Sequence, residues 1–322
     1  MSGFDILIIA QKGRLEYEAA LFAASLRAQS PGFTGKLYIG EPQPGPLWPE
    51  DPRISDETRT LLARLDATPL PFENRHFGSP YPHANKIEAM AALPDDVPVV
   101  FFDTDTVVLG EIGELDLGES PTASMERENT WPVEETYGAE PGEVWETLFK
   151  RFGIDIAPTL NHDRPAFDWR HNLYFNAGLI FAPRAREFAQ TMLDLMTAIQ
   201  DDPPPCQPIY PWLDQIALPL AVAKHGGGRP EGDFVQLDGT LSKHYREIAL
   251  LYATAPDAII ETLQKITAPN YVKKVIKQHE PFRRFIYQGA GPRARDLFDR
   301  HALPITQKPI RQRLKKNGLW IT

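Results

Sequence analysis

Val99-Val100-Phe101-Phe102-Asp103-Thr104-Asp105-Thr106-Val107-Val108 is the stretch on which the reading of this chain turns. Four apolar residues run straight into two carboxylates spaced i, i+2. The apolar run is too short for a helix and rich in Val and Phe, so it predicts a buried strand. On an extended strand, side chains at i and i+2 point to the same side. Two carboxylates held together at a strand end repel each other unless a cation sits between them. An oxygen-rich pair suits a hard divalent ion, Mn2+ or Mg2+, of the kind that bridges to substrate phosphates. A lone Asp-x-Asp is more often a strand end with solvated acids, so the rest of the chain decides.

Upstream, residues 4–10, 35–39 and 68–72 read as strands. Residues 15–27 read as an amphipathic helix with Leu15, Ala19, Phe22 and Leu26 on one face. Ser55 is a good N-cap for a helix running to about 65, and 85–93 is a short helix leading into the acid-ended strand, 97–104. The alternation β-α-β-α-β-α-β predicts an α/β protein with a mostly parallel central sheet covered on both faces. Ligands of such sheets sit at the carboxyl ends of strands, where Asp103 and Asp105 fall. Downstream, 122–125, 173–181 and 234–237 read as strands, and 184–200 and 211–224 as helices. A turn at Gly226-Gly227-Gly228 closes the last of these. Between them, 129–171 is a long aromatic-rich excursion expected to shape an acceptor site.

The 322 residues fit one large α/β domain or two small ones. The single cysteine, Cys206, excludes an intrachain disulfide framework and a cysteine zinc cluster, and fits a reducing cytoplasm. The N-terminus lacks the basic start and apolar core of a secretion signal. No apolar run approaches the ~20 residues that span a bilayer. The net charge of −9 hides an asymmetry: residues 271–322 hold thirteen Lys/Arg against Glu280, Asp296 and Asp299, which leaves the remainder strongly acidic. The expected division is therefore a main domain, 1–265, and a basic helical C-terminal extension, 266–322. Apolar residues interleave these bases. Two roles follow: docking on an anionic membrane surface, as a peripheral protein of its inner face, or packing on the acidic body. No nucleic-acid-binding motif accompanies the charge, so nucleic acid is not an expected partner.

The acid pair needs a third ligand. His244, in Ser242-Lys243-His244-Tyr245-Arg246, is the best candidate, expected at the same sheet edge after the strand at 234–237; imidazole favours Mn2+ over Mg2+. Lys243 and Arg246 flank it with charge suited to a diphosphate. Lys86 opens the helix before the acid pair. Phe175-Asn176-Ala177-Gly178 places small residues at a strand end, where a sugar ring can approach closely, and Asn176 offers both donor and acceptor. Asp214 and Gln215 open a helix, Asp214 there favouring the helix N-terminus or holding sugar hydroxyls.

Lys86, Asp103-Thr104-Asp105, Tyr174-Phe175-Asn176-Ala177-Gly178, Asp214-Gln215 and His244-Tyr245 occur in the order and rough spacing of glycosyltransferase family eight. That is the glycogenin and lipopolysaccharide galactosyltransferase type, on the nucleotide-diphospho-sugar transferase (GT-A) fold. The chain resembles it over about residues 4–250. The resemblance implies a single GT-A domain and a metal-dependent transfer of a hexose from a nucleotide-diphospho-sugar such as a UDP-sugar. The acceptor would be a glycan or lipid-linked sugar, as in bacterial cell-surface polysaccharide, and the anomeric configuration would be retained. It implies Mn2+ (or Mg2+) on Asp103, Asp105 and His244, donor contacts from Lys86, Asp103, Thr104, Asn176 and Ala177, and Asp214 and Gln215 at the reacting carbon. Some bacterial members carry a membrane-docking basic C-terminal segment similar to 271–322.

Two departures stand out. Where the family has acids after its first strand to hold the nucleoside, this chain has Gln11-Lys12-Gly13-Arg14. Where the family has His-x-x-Gly-x-x-Lys-Pro-Trp, it reads His244-Tyr245-Arg246-Glu247-Ile248-Ala249. The diphosphate clamp then falls to Lys12, Arg14, Lys243 or Arg246. An inverting reaction would instead need a carboxylate base, from Glu126, Glu128 or Asp214. One alternative is a haloacid-dehalogenase-type phosphatase with Asp103 as nucleophile, although Val107 stands where that motif has Thr and no later acidic pair follows a strand. Another is a non-catalytic sugar- or membrane-binding protein of the same fold.

Overall fold

The structure is a computed structural model and describes residues 3–125, 131–133 and 139–321. In chain order its main elements are β1 (Asp5–Ile9), α1 (Arg14–Gln29), β2 (Leu37–Pro42), α2 (Asp56–Arg64), β3 (Ala67–Phe72), α3 (Asn85–Ala91), β4 (Val99–Phe102), β5 (Thr106–Val108), β6 (Thr122–Ser124), α4 (Pro141–Arg151), β7 (Asn176–Ala182) and α5 (Ala185–Asp201). There follow α6 (Leu213–Lys224), α7 (Gly232–Leu237), β8 (Ser242–His244), α8 (Ile248–Thr254), α9 (Asp257–Thr267), α10 (Asn270–Ile276), α11 (Glu280–Phe282) with a π-helical turn over Arg283–Tyr287, α12 (Ala290–Asp296) and α13 (Gln307–Lys316).

The central sheet has the order β3-β2-β1-β4-β7-β6. The four strands β3, β2, β1 and β4 are parallel, β7 runs against β4, and β6 runs against β7. The sheet is mostly parallel, as the β-α alternation predicts. Strand periodicity divides its side chains between two cores. Ile6, Ile8, Val100, Phe102, Leu179 and Phe181 pack on the face covered by α1, α2 and the C-terminal helices. Leu7, Ile9, Val99, Phe101, Ile180 and Ala182 pack on the face covered by α3, α4, α5 and α6. Ser55 caps α2, its hydroxyl accepting from the Thr58 amide.

Two expectations are corrected. Residues 234–237 are not a strand but part of α7: Phe234 and Leu237, spaced i, i+3, are buried while Val235 is exposed, a helical pattern hidden in a four-residue run. Asp103 and Asp105 lie beyond the strand, in the turn between β4 and β5, so strand alternation does not align them. That turn is held by a two-stranded antiparallel ladder, β5-β8, pairing Thr106 with His244 and Val108 with Ser242. The aromatic excursion is partly core: Trp131, Trp145 and Phe149 are buried with Tyr174, and the Trp131 and Trp145 rings meet edge to face at 5.1 Å.

The basic C-terminal helices share the core of β1 and α1, burying Val272, Val275, Ile276, Phe282, Phe285, Leu314 and Leu319. Most of their cations stay outward, several over aromatic faces: Lys273 and Lys277 over Tyr287, Arg311 and Lys315 over Trp320. Arg295 instead turns inward onto the Tyr252 and Ala255 carbonyls. His279 stacks on Tyr17 of α1 at 5.3 Å. Burial, and then the nearby Arg14, lower its pKa to about 4. Between about 4 and the ordinary 6.5 only the unfolded chain binds this proton, so stability falls as pH drops through that window. His279→Phe keeps the stack and should flatten the fall in Tm between pH 6.5 and 4. Parallel Tm–pH curves for the two proteins would count against this role.

Candidate active site

The floor of the site is Gly178. Its carbonyl accepts from the Asp103 amide at 2.7 Å, joining β7 to the acid turn. A Cβ at this position would lie 2.7 Å from His244 Cε1 and 2.9 Å from Asp103 Oδ2, so a larger residue would have to push these two side chains aside. Asp103, Asp105 and His244 bring one ligand atom each within 4.8 Å of one another. His244 Nε2 stands 3.1 Å from Asp105 Oδ1 and 3.9 Å from Asp103 Oδ2. Burial opposes charge on both partners of the closer pair. Asp105, then Asp103, nevertheless hold His244 above its ordinary pKa, and His244, then Arg14, hold Asp105 below its own. Two carboxylates and an imidazole are a donor set that fits Mn2+. Gly178→Ala should weaken Mn2+ binding at least tenfold, on the order found for residues that orient metal ligands. Titration of free Mn2+ by electron paramagnetic resonance (EPR) measures it; wild-type affinity in the variant would contradict the wedge.

Beside the acids lies a cleft of about 330 Å³ lined by Ile9, Gln11, Arg14, His83, Asn85, Lys86, Phe101, Asp103, Thr104 and Asp105 among others. The buried Lys86 ammonium donates to the Ala177 carbonyl at 2.9 Å and to Asp214 Oδ2 at 3.1 Å, and stands 3.5 Å from Asp103 Oδ1. Burial works against its charge, but Asp103 and then Asp214 hold its pKa above the ordinary value. The other Asp214 oxygen is 2.8 Å from the Tyr81 hydroxyl, whose own ionisation burial and Asp214 push far out of reach. Thus Lys86 links the acid turn to the start of α6, which carries Asp214 and Gln215.

The remaining sequence candidates fall in three groups. Gln215 lies next along α6, its Oε1 accepting from the Tyr174 hydroxyl at 2.8 Å. Asn176 turns its Oδ1 onto the Gly178 amide at 2.7 Å, and Thr104 and Ala177 are buried within the same turn and strand. Lys12 is exposed, its amide on the Pro52 carbonyl, and does not line the cleft. Arg246 sits beyond β8 with φ +62°, and its carbonyl accepts from Arg14. Glu126 and Glu128 lie outside the described residues. In the sequence Arg14 stands out only as one of four clamp candidates. In the structure it contacts Asp105, Glu18 and Glu247 together, a role that only contacts across 91 and 233 residues reveal.

A family model described as "Rhodobacterales glycosyltransferase domain" matches residues 6–226. No curated protein matches the chain. Among solved structures, the chain is similar to the WbbM bifunctional glycosyltransferase in its apo form (15% identity, 86% of this chain and 52% of that one, TM-score 0.48), so it spans about half of that protein. It is also similar to the galactosyltransferase LgtC in complex with donor and acceptor sugar analogues (15% identity, 86% and 96% of the two chains, TM-score 0.46). A third similar structure is the apo glycosyltransferase GlyE of Streptococcus pneumoniae TIGR4 (14% identity, 98% and 64%, TM-score 0.42).

Proposed function

The chain belongs to the Rhodobacterales glycosyltransferase family, and from that premise we propose that it moves a hexose from a nucleotide-diphospho-sugar, a UDP-sugar foremost, to a glycan or lipid-linked acceptor. The observation that carries this is the convergence of Asp103, Asp105 and His244 beside a cleft of nucleotide size. The family match favours this over the phosphatase reading of Asp103 and over a purely non-catalytic role. Asp103, Asp105 and His244 would hold Mn2+ (or Mg2+). Such an ion, when bound, offsets the charge that develops on a departing diphosphate.

The protein's own groups do the rest. Lys86 brings a fixed positive charge to the cleft wall beside Asp103, where its field would act on a bound donor. Asp214, anchored through both oxygens, fixes Lys86 and the start of α6, so that Gln215 is presented from a rigid turn. Both its oxygens being engaged, Asp214 is a poor base for an acceptor hydroxyl; the retaining course rests on the family resemblance. Thr104 lines the cleft; Asn176 and Ala177 would support the donor wall from β7, while Lys12 and Arg246 would reach a donor only from outside the cleft.

The test is thermal-shift titration with Mn2+ and UDP, GDP or no nucleotide. Metal-dependent stabilisation by one nucleotide is expected, about 2.7 kcal/mol at a hundredfold excess over Kd. Stabilisation by phosphate analogues with Mg2+ and by no nucleotide would overturn the reading. No helix among the described residues is long and apolar enough to cross a membrane. We propose further that the outward cations of residues 271–316, with the fully exposed Ile305, dock on an anionic membrane. Because the apolar side of this segment is core, Glu substitutions at Lys274, Lys277, Lys308, Lys315 and Lys316 test it better than deletion. Unchanged sedimentation with anionic vesicles would refute it.

A further inference from the structure

We propose that Arg14 is a positioning residue that fixes how Asp105 meets the cation, and thereby which cation the site prefers. The proposal rests on the metal reading above. Arg14 opens α1, and its guanidinium is spread over four acceptors. Nε donates to Glu18 Oε1 at 2.7 Å, Nη1 to Glu247 Oε1 at 2.9 Å, and Nη2 to Asp105 Oδ2 at 3.0 Å and to the Arg246 carbonyl. A fork so engaged is not a diphosphate clamp. It is a clasp between the turn that carries Asp103 and Asp105 and the turn that follows His244.

The division of Asp105 is what matters. Arg14 takes Oδ2, while Oδ1 faces His244 Nε2 at 3.1 Å. With Oδ2 held, Asp105 offers a cation one oxygen only. Ions that demand compact octahedral geometry, Mn2+ and Mg2+, accept such ligands. Ca2+ takes six to eight oxygens and gains from a carboxylate that binds through both. The clasp also secures Arg246 at φ +62°, a left-handed conformation that side chains other than glycine rarely adopt, two residues after His244. The Tyr245 amide adds a bond to the Asp105 carbonyl at 2.9 Å, so both ligand turns are tied at the same point. Lysine keeps the charge but, as a point donor, cannot span these acceptors.

The experiment uses the full chain and two variants, Arg14→Lys and Arg14→Gln, with Mn2+ alone and Ca2+ alone as probes. Mn2+ binding and line shape are read by EPR, Ca2+ binding by competition, and folding by circular dichroism. Both variants should bind Mn2+ about tenfold more weakly, as when residues orienting a ligand are removed. The preference for Mn2+ over Ca2+ should narrow by a similar factor, with a changed Mn2+ spectrum. Folded variants with the wild-type preference overturn the proposal, including the case in which both ions weaken equally. If Arg14→Gln does not fold, Arg14→Lys decides alone, since it leaves Glu18 and Glu247 beside a cation. A wild-type chain that binds no Mn2+ overturns the metal reading and this one with it; one that binds Mn2+ while the variants keep its preference overturns this one only.

Discussion

Asp105→Ala is expected to lower turnover on the order of 10³-fold and to erase Mn2+-dependent stabilisation by nucleotide. A metal held at a leaving group takes several kcal/mol off the barrier, and each 1.36 kcal/mol is tenfold in rate. Asp105 is the carboxylate nearest His244, at 3.1 Å against 3.9 Å for Asp103, so its loss opens the cluster at its tightest point. The fold should survive, because Arg14 keeps Glu18 and Glu247 as partners and the β5-β8 ladder is a backbone feature. The measurement pairs steady-state turnover with thermal-shift titration. Undiminished turnover in a folded Asp105→Ala protein would remove the metal from the reaction.

Lys86→Met should be the most destabilising single change near the site, by about 3–5 kcal/mol, because it breaks a buried ion pair from one side. Asp214 is almost fully buried and, among the described residues, would keep the Tyr81 hydroxyl to offset its charge. For a chain of this size the loss should lower Tm on the order of 10 °C. The double variant Lys86→Met with Asp214→Asn removes the stranded charge and should recover much of the stability. Turnover should stay low in both, since neither places a cation beside Asp103. A Lys86→Met protein as stable as wild type would mean that water or Tyr81 already satisfies Asp214.

The first four strands and the helices between them were legible because strand and helix periods separate cleanly there. Ile6, Ile8, Leu7 and Ile9 alternate between the two cores as a buried parallel strand requires. The acid pair was legible as chemistry but not as geometry. Nothing in Asp103-Thr104-Asp105 says that the chain turns there, and the partner strand Ser242–His244 has three residues and no period to read. Residues 234–237 misled for the same reason, a run too short to distinguish Phe234 and Leu237 as a helical pair from strand neighbours. Arg14 was hardest. A cation at a helix start is ordinary in sequence, and its meaning comes from Asp105 and Glu247, which folding brings to it from far along the chain.

Helix α1 is a wall shared by two parts of the molecule. Its first residue clasps the acid turn, and one turn later Tyr17 lies flat against His279 of the basic segment. Amide hydrogens in the C-terminal helices and in the acid turn are therefore expected to exchange together, since an excursion that lifts His279 from Tyr17 would loosen the helix that presents Arg14. A surface gripping the basic face would then stiffen that helix, and slower amide exchange around Asp105 is the expected sign of it.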